Sequence, residues 1–225
     1  MYKKAIQNIK QSIFPIFFKH VQGKVTTIGV SGTGFFIDNV GHFITANHVI
    51  NDAPQGSEIL FAGNVPHNII QPININEVLI NEERDIYIGR VDANALPPVQ
   101  LDFGNTEIGT SVCLCGYPMA QIGQNPDGSI NVNNVRQYWQ PTFSIDGAQI
   151  NHNGMLYEGF ITQDTSLRGM SGGPVFDKKG NVIGLDVATF TRQIALQNGE
   201  NMPVNNGVVT SLKSVQTIIE DIINN

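Results

Sequence analysis

The sequence predicts an all-β protein built as antiparallel barrels or a sandwich, with a helix closing the chain. Three observations support this. Short β-rich apolar runs recur through the 225 residues. Glycine and Asn/Asp turns separate them, at Asp38–Gly41, Pro126–Gly128, Asp146–Gly147 and Lys178–Asn181. Helical periodicity is convincing only at the two ends.

Taken in order, residues 1–12 suit a short helix. Strands are expected at Lys24–Val30, Gly34–Ile37, Phe43–Thr45, Glu58–Phe61, Asn68–Ile75 and Ile86–Val91. Five more follow at Ser111–Gly116, Leu156–Thr162, Val175–Phe176, Val182–Val187 and Gly207–Thr210. Gln121–Asn134 is rich in Asn and Gly and reads as a mobile surface loop. Residues 211–222 open on a capping Ser211 and place apolar side chains at 212, 215, 218, 219 and 222, one face of a helix. A proline pair cannot sit inside a central strand, so 92–98 is the natural lobe boundary, giving lobes of residues 1–98 and 99–225.

Composition narrows the function. The chain is 41% hydrophobic and 14% charged, well below the roughly 25% charge of an average domain, which excludes disorder for most of it. Its formal charge of −6 leaves no broad basic face for phosphates, so nucleic acid is not an expected partner. No apolar stretch approaches the ~20 residues that cross a bilayer, and no membrane partner is expected. The run Ile13–Phe18 follows two lysines but starts late, is short and has no small-residue cleavage site after it, so it reads as mature protein in a cytoplasmic chain. Cys113 and Cys115 flank Leu114, too close along a strand for a mutual disulfide, and read as small core residues.

The sharpest chemical signal is Gly169-Met-Ser171-Gly-Gly-Pro-Val175. A serine hydroxyl needs a base to become a nucleophile, and the oxyanion it creates needs preorganised donors, which a glycine-rich turn offers as bare N–H groups. The segment also satisfies G-x-S-x-G, whose triad runs Ser, acid, His. All five histidines precede Ser171, which excludes that order. The order Asp, His, Ser fails too, because the only Asp before His48 is Asp38, ten residues upstream beside a turn. The order His, Asp, Ser remains.

His48 lies in Phe43–Ile50, read as an apolar strand running into a tight turn, while His42 and His67 read as surface residues and His20 and His152 sit in polar company. Asp85 opens the apolar run Ile86–Val91. Its burial is costly unless something donates to it, and a histidine N–H would do so while leaving the other ring nitrogen free.

These segments resemble the trypsin-like, chymotrypsin-fold serine proteases, and among them the bacterial HtrA-type branch. The resemblance runs through Ser31–Asp38, Ile44–Val49, Asp85–Ile88, Gly169–Pro174 and Val182–Leu185. It implies two six-stranded antiparallel β-barrels, with His48 and Asp85 from the first and Ser171 from the second. It makes Ser171 the nucleophile, His48 the general base, Asp85 its orienter, and the N–H groups of Gly169 and Ser171 the oxyanion hole, with no metal or cofactor. Tyr87 departs from the small residue usual two positions after the Asp. Met170 stands where digestive members carry an Asp that pairs with a new N-terminus, so activation by N-terminal processing is not expected. No PDZ-like domain follows in this sequence. By the same resemblance Thr165 and Ser166 lie near the base of the primary pocket, and Val187, Ala188 and Thr189 form the strand that pairs with substrate. Asp164 is one position from where a basic-specific enzyme places its acid, and Asp186 is nearby, so a pocket for Arg or Lys competes with a Thr/Ser-lined pocket for small or apolar residues.

The function expected is a serine endopeptidase that cleaves protein or peptide substrates through an acyl-enzyme. Two alternatives stay open: a catalytically silent binding module, and a single-substrate processing protease in a signalling or defence assembly.

Overall fold

Two sheets, each of seven strands, carry the chain, and the computed structural model describes residues 1–62, 70–72, 75–91, 97–118, 120–124, 130–133, 135–152, 154–197 and 199–224. Helix α1 (Lys3–Ile9) buries Ala5 and Ile9, and the Tyr2 ring before it meets Phe176 edge-on at 5.8 Å. Strand β1 (Ile13–Gln22) follows. Its apolar run, not assigned to a strand from the sequence, is continuous because its first five residues are all buried and it sits in mid-sheet between two other strands.

The first sheet continues through β2 (Val25–Phe36), β3 (His42–Ala46), helix α2 (Asn47–Asn51), β4 (Glu58–Ala62), β5 (Ile70–Pro72), β6 (Ile75–Asn81), a 3-10 turn (Glu82–Arg84) and β7 (Ile86–Val91). The strand order is β5-β4-β1-β2-β3-β7-β6. Its two end strands are consecutive in sequence, and the chain from Pro72 to Ile75 reaches at most about 11 Å, so the sheet curls back on itself as a barrel. The strand expected at Asn68–Ile75 lies partly outside the described residues.

The second sheet contains β8 (Gln100–Leu101), β9 (Ser111–Gly116), β12 (Tyr138–His152), β13 (Met155–Thr162), β14 (Pro174–Phe176), β15 (Asn181–Ala195) and β16 (Asn201–Ser211), with the hairpin β10 (Gln121–Gln124) and β11 (Ile130–Asn133) standing apart. The pairings β14-β9-β12-β13-β16-β15 close through β15 with β14, a six-stranded antiparallel barrel with β8 added in parallel on β15. A 3-10 turn (Leu212–Val215) and helix α3 (Gln216–Asn224) end the chain and bury Leu212, Val215 and Ile219. The all-β double-barrel expectation holds.

Two local readings change. Asp146–Gly147 is not a turn but part of β12, paired with Ile161 and Phe160 just past a bulge between Ser144 and Asp146. Gln121–Asn134 is not wholly loop, since Gln121–Gln124 pairs with Ile130–Asn133; its Pro126–Gly128 turn lies outside the described residues, as does most of the 92–98 boundary. Cys113 and Cys115 are buried and free; burial pushes the Cys113 thiol up to about 12 and raises that of Cys115 as well, so neither is a ready thiolate.

Candidate active site

His48 is not on a strand: β3 hands over at Ala46 to α2, and His48 is the second residue of that helix. Asp85 faces it after the 3-10 turn. Asn81 caps this turn, its side-chain oxygen accepting from the Arg84 N–H at 3.0 Å. Asp85 then takes φ 52°, the only left-handed non-glycine residue among those described, a conformation that Asp tolerates better than bulky residues do. Three bonds result. The Asp85 carbonyl accepts from the Asn47 N–H at 3.0 Å. Its Oδ1 accepts from the His48 backbone N–H at 2.9 Å, and Oδ2 lies 2.6 Å from His48 Nδ1.

At 2% exposure, Asp85 can be buried because both carboxylate oxygens are engaged. A carboxylate only accepts, so Nδ1 carries the proton and Nε2 keeps its lone pair. Burial of His48 acts to lower its pKa, but the hydrogen bond and charge of Asp85, with the charges of Asp52 and Asp186, raise it above 6.5. Tyr87 is accommodated opposite Thr45, buried with its ring 6.1 Å from Phe43, and burial pushes its hydroxyl up to about 12.

Ser171 sits on a turn held by the first sheet. The Thr33 N–H donates to the Ser171 carbonyl at 2.9 Å, and the Thr33 hydroxyl donates to the Gly169 carbonyl at 2.7 Å. Gly172 adopts φ +80°, and a Cβ there would stand 2.1 Å from Thr45 Oγ1 and 2.7 Å from the Ala46 nitrogen. The turn thus touches the two residues just before α2. Along this turn the N–H groups of Met170, Gly172 and Gly173 donate to Leu167, Asp186 and Met170 carbonyls, at 2.9, 2.6 and 2.8 Å. Those of Gly169 and Ser171 have no acceptor among the described residues. Gly169 is at φ +96°.

The pocket candidates lie beside this turn. Thr165 and Thr189 hydroxyls are 3.2 Å apart, and the Thr189 hydroxyl donates to the Ser166 carbonyl at 3.3 Å. A register shift between Asp186 and Ala188 leaves buried Val187 out of the β16 ladder, while Ala188 and Thr189 pair with Val208 and Gly207. Asp164 is exposed; its backbone, rather than its carboxylate, ties the loop, its carbonyl accepting from the Gly207 N–H at 2.9 Å and its N–H donating to the Thr142 hydroxyl at 3.2 Å. His42 is partly buried, not free on the surface, with Nδ1 against Asp38 Oδ2.

Sequence reading passed over Thr33 and took Asp186 only as an acid near the pocket. Thr33 gave no signal beyond its Gly-Thr-Gly setting. Asp186 did give one, a charge inside an apolar strand run. It is fully buried; Oδ2 accepts from the Ser166 hydroxyl, and Oδ1 has no partner among the described residues. Burial pushes its carboxyl up to about 7, against the lowering effects of Ser166 and of the His48 charge.

A histidine oriented by a buried carboxylate, beside a serine whose turn leaves two amides open, defines the arrangement of chymotrypsin-fold serine hydrolases. The chain belongs to the trypsin-like peptidase family, matching the Trypsin-like peptidase domain over residues 32–185. Its relatives place it with the HtrA-type branch. One, a probable periplasmic serine endoprotease, DegP-like, of Bartonella henselae, is 27% identical over 195 residues, 84% of this chain and 33% of the relative. Another of that description, from Pseudomonas putida F1, is 30% identical over 163 residues, 72% of this chain and 30% of the relative. The chain therefore spans about a third of the curated relatives it matches. The fold matches the HtrA-type protease AlgW with decapeptide at TM-score 0.69 and 18% identity, covering 98% of this chain and 68% of that one. It also matches the serine endoprotease of Yersinia pestis at TM-score 0.63 and 18% identity, covering 100% and 67%. The periplasmic description of the relatives overturns the expected cytoplasmic placement. That expectation rested on reading Ile13–Phe18 as mature protein, and export leaves no mark on the folded domain. Ile13–Phe18 itself belongs to β1; no helix among the described residues is long and apolar enough to cross a membrane.

Proposed function

We propose that the chain is a serine endopeptidase of the periplasm, working on peptide segments through an acyl-enzyme. The observation that carries this is the double engagement of Asp85 with His48 next to the two unengaged amides of Gly169 and Ser171. His48 Nε2 takes the proton as Ser171 Oγ attacks the scissile carbonyl. The oxyanion is received by the Gly169 and Ser171 N–H groups. His48 then returns the proton to the leaving amine, the acyl-enzyme forms, and water activated by the same imidazole releases it. Asp85 stays ionised, holding the ring and balancing its transient positive charge. We assign the His–Asp half to a lobe of residues 1–98 and the nucleophile to a lobe of 99–225. Val187, Ala188 and Thr189 pair with substrate backbone as an added strand, beside a pocket walled by Thr165 and Ser166. The periplasmic location and peptide substrate rest on similarity to the DegP-like relatives and to AlgW with its decapeptide.

Ser171→Ala is expected to lower turnover about 10⁶-fold, and a fluorophosphonate probe should label the wild-type chain at Ser171 alone. Failure to label, with peptide still bound, would identify a binding module instead.

A further inference from the structure

The acid that holds His48 is aimed from both barrels. Asp85 keeps φ 52° and ψ 46°, and a carboxylate on so short a side chain points where its backbone directs it. Two peptide planes flank its Cα. The following one is pinned through the Asp85 carbonyl, which accepts from the Asn47 N–H at 3.0 Å. The preceding one joins Arg84 to Asp85 and is gripped at both ends. Its N–H donates to the Glu82 carbonyl at 3.2 Å, and its carbonyl, that of Arg84, accepts from the Thr210 hydroxyl at 3.1 Å. Thr210 belongs to the other barrel. It is 0% exposed on β16, where it pairs with Gly159 of β13 and Leu185 of β15. The Arg84 side chain also reaches that barrel, 3.6 Å from Glu158, but both side chains are partly exposed and such a pair holds little.

Resting on the endopeptidase reading, we propose that Thr210 is a positioning residue for the reaction: its hydroxyl fixes the Arg84–Asp85 peptide plane and, through it, the line from the Asp85 carboxylate to His48 Nδ1. A left-handed backbone is disfavoured for an L residue, so Asp85 stays in it only while its surroundings hold it there. The Glu82 bond alone closes a 3-10 turn, whose hydrogen bonds are poorly aligned. Thr210 supplies the firmer restraint. A buried hydroxyl needs an acceptor, and a β-branched side chain on a paired strand has little rotameric freedom, so its proton is offered from one place. The same strand pair also carries the serine turn. Leu185, opposite Thr210, precedes Asp186, whose carbonyl accepts from Gly172 and whose N–H donates to the Gly173 carbonyl, at 2.6 and 2.9 Å. Asp85 and the turn of Ser171 therefore take their positions from one stretch of the second barrel.

Thr210→Val keeps the shape of the side chain and removes the donor. It should lower kcat about 10-fold and leave KM nearly unchanged, because a fully buried residue cannot touch the substrate. Of the acids acting on His48, Asp85 hydrogen-bonds it, while Asp52 and Asp186 act by charge alone. Loosening Asp85 weakens a contact that raises the His48 pKa, so the acidic midpoint of kcat/KM should move to lower pH. Thr210→Ser keeps the hydroxyl and should restore both kcat and the midpoint. Glu158→Gln, which alters only the exposed contact of the same turn, should leave kcat within about 2-fold of wild type. A Val variant with unchanged kcat and midpoint overturns the proposal, as does a Ser variant equally impaired. Glu158→Gln reproducing the Val profile also overturns it, since general loosening between the barrels would then be the cause. If circular dichroism shows the Val variant unfolded, Thr210→Ala takes its place in the same measurements. Wild type that neither labels with the fluorophosphonate nor cleaves any peptide ends the endopeptidase reading itself; active wild type with an indifferent Val variant removes Thr210 alone.

Discussion

The two faces of the cleft differ in how far their polar groups are already satisfied. On the first-barrel side, Asp85 uses its carbonyl and both carboxylate oxygens on residues 47 and 48, and His48 Nδ1 is occupied. On the second-barrel side, two amides and one carboxylate oxygen have no partner among the described residues. Saturated groups hold a geometry; unsaturated ones wait for a ligand. On the proposed reading, His48 is held in place while the surroundings of Ser171 are left open to bind.

Asp85→Asn tests the saturated side most severely. An amide that donates toward Nδ1 would impose the wrong tautomer, and kcat should fall about 10⁴-fold with little change in the far-ultraviolet circular dichroism. Retention of more than a tenth of the activity would show that His48 does not depend on this contact. Gly172→Ala probes where the sides meet. A methyl group 2.1 Å from Thr45 Oγ1, on a residue held at φ +80°, should cost about 3 kcal/mol and lower the melting temperature by about 10 °C, measured by calorimetry. A milder, pH-dependent effect concerns His48. Its raised pKa means the neutral base is fully present only above 6.5, so the acidic limb of the kcat/KM profile should fall at a midpoint higher than 6.5. A midpoint below 6.5 would show that burial outweighs Asp85.

The smallest effect belongs to the unsaturated side. Asp186 holds its proton more tightly folded, at about 7, than its ordinary 3.8. Its neutral form stabilises the fold at low pH, and that contribution is lost as pH rises from about 4 to 7. Asp186→Asn should therefore gain in melting temperature relative to wild type across this window. A constant difference from pH 4 to 8 would mean that Asp186 does not titrate there.

Much of this was legible in the sequence, for reasons that differ by residue. Ser171, His48 and Asp85 stand out because chain order and neighbouring glycines restrict their roles. The α2 helix was hidden because Asn47–Asn51 is too short to show a helical period. β12 was hidden because Pro141 and Asp146–Gly147 look like breaks, yet Pro141 sits in the ladder opposite Cys113, and Asp146 and Gly147 pair with β13 just past a bulge. The left-handed turn at Asp85 could not be foreseen, since residues distant in the chain hold it there. Asp186 was visible as a misfit in an apolar strand, but its missing partner is a property of three dimensions.

Thr33 gives the cleft an unusual mechanical property. One small residue of the first barrel clasps the Gly169 and Ser171 carbonyls while its hydroxyl also receives the Tyr117 N–H at 3.1 Å. The halves are thus latched at the floor of the groove, and no rocking of one barrel on the other can open it without unfastening that latch. Adjustments in the far wall of the first barrel would instead be transmitted along β2 and felt as a tilt of the amides that meet the substrate.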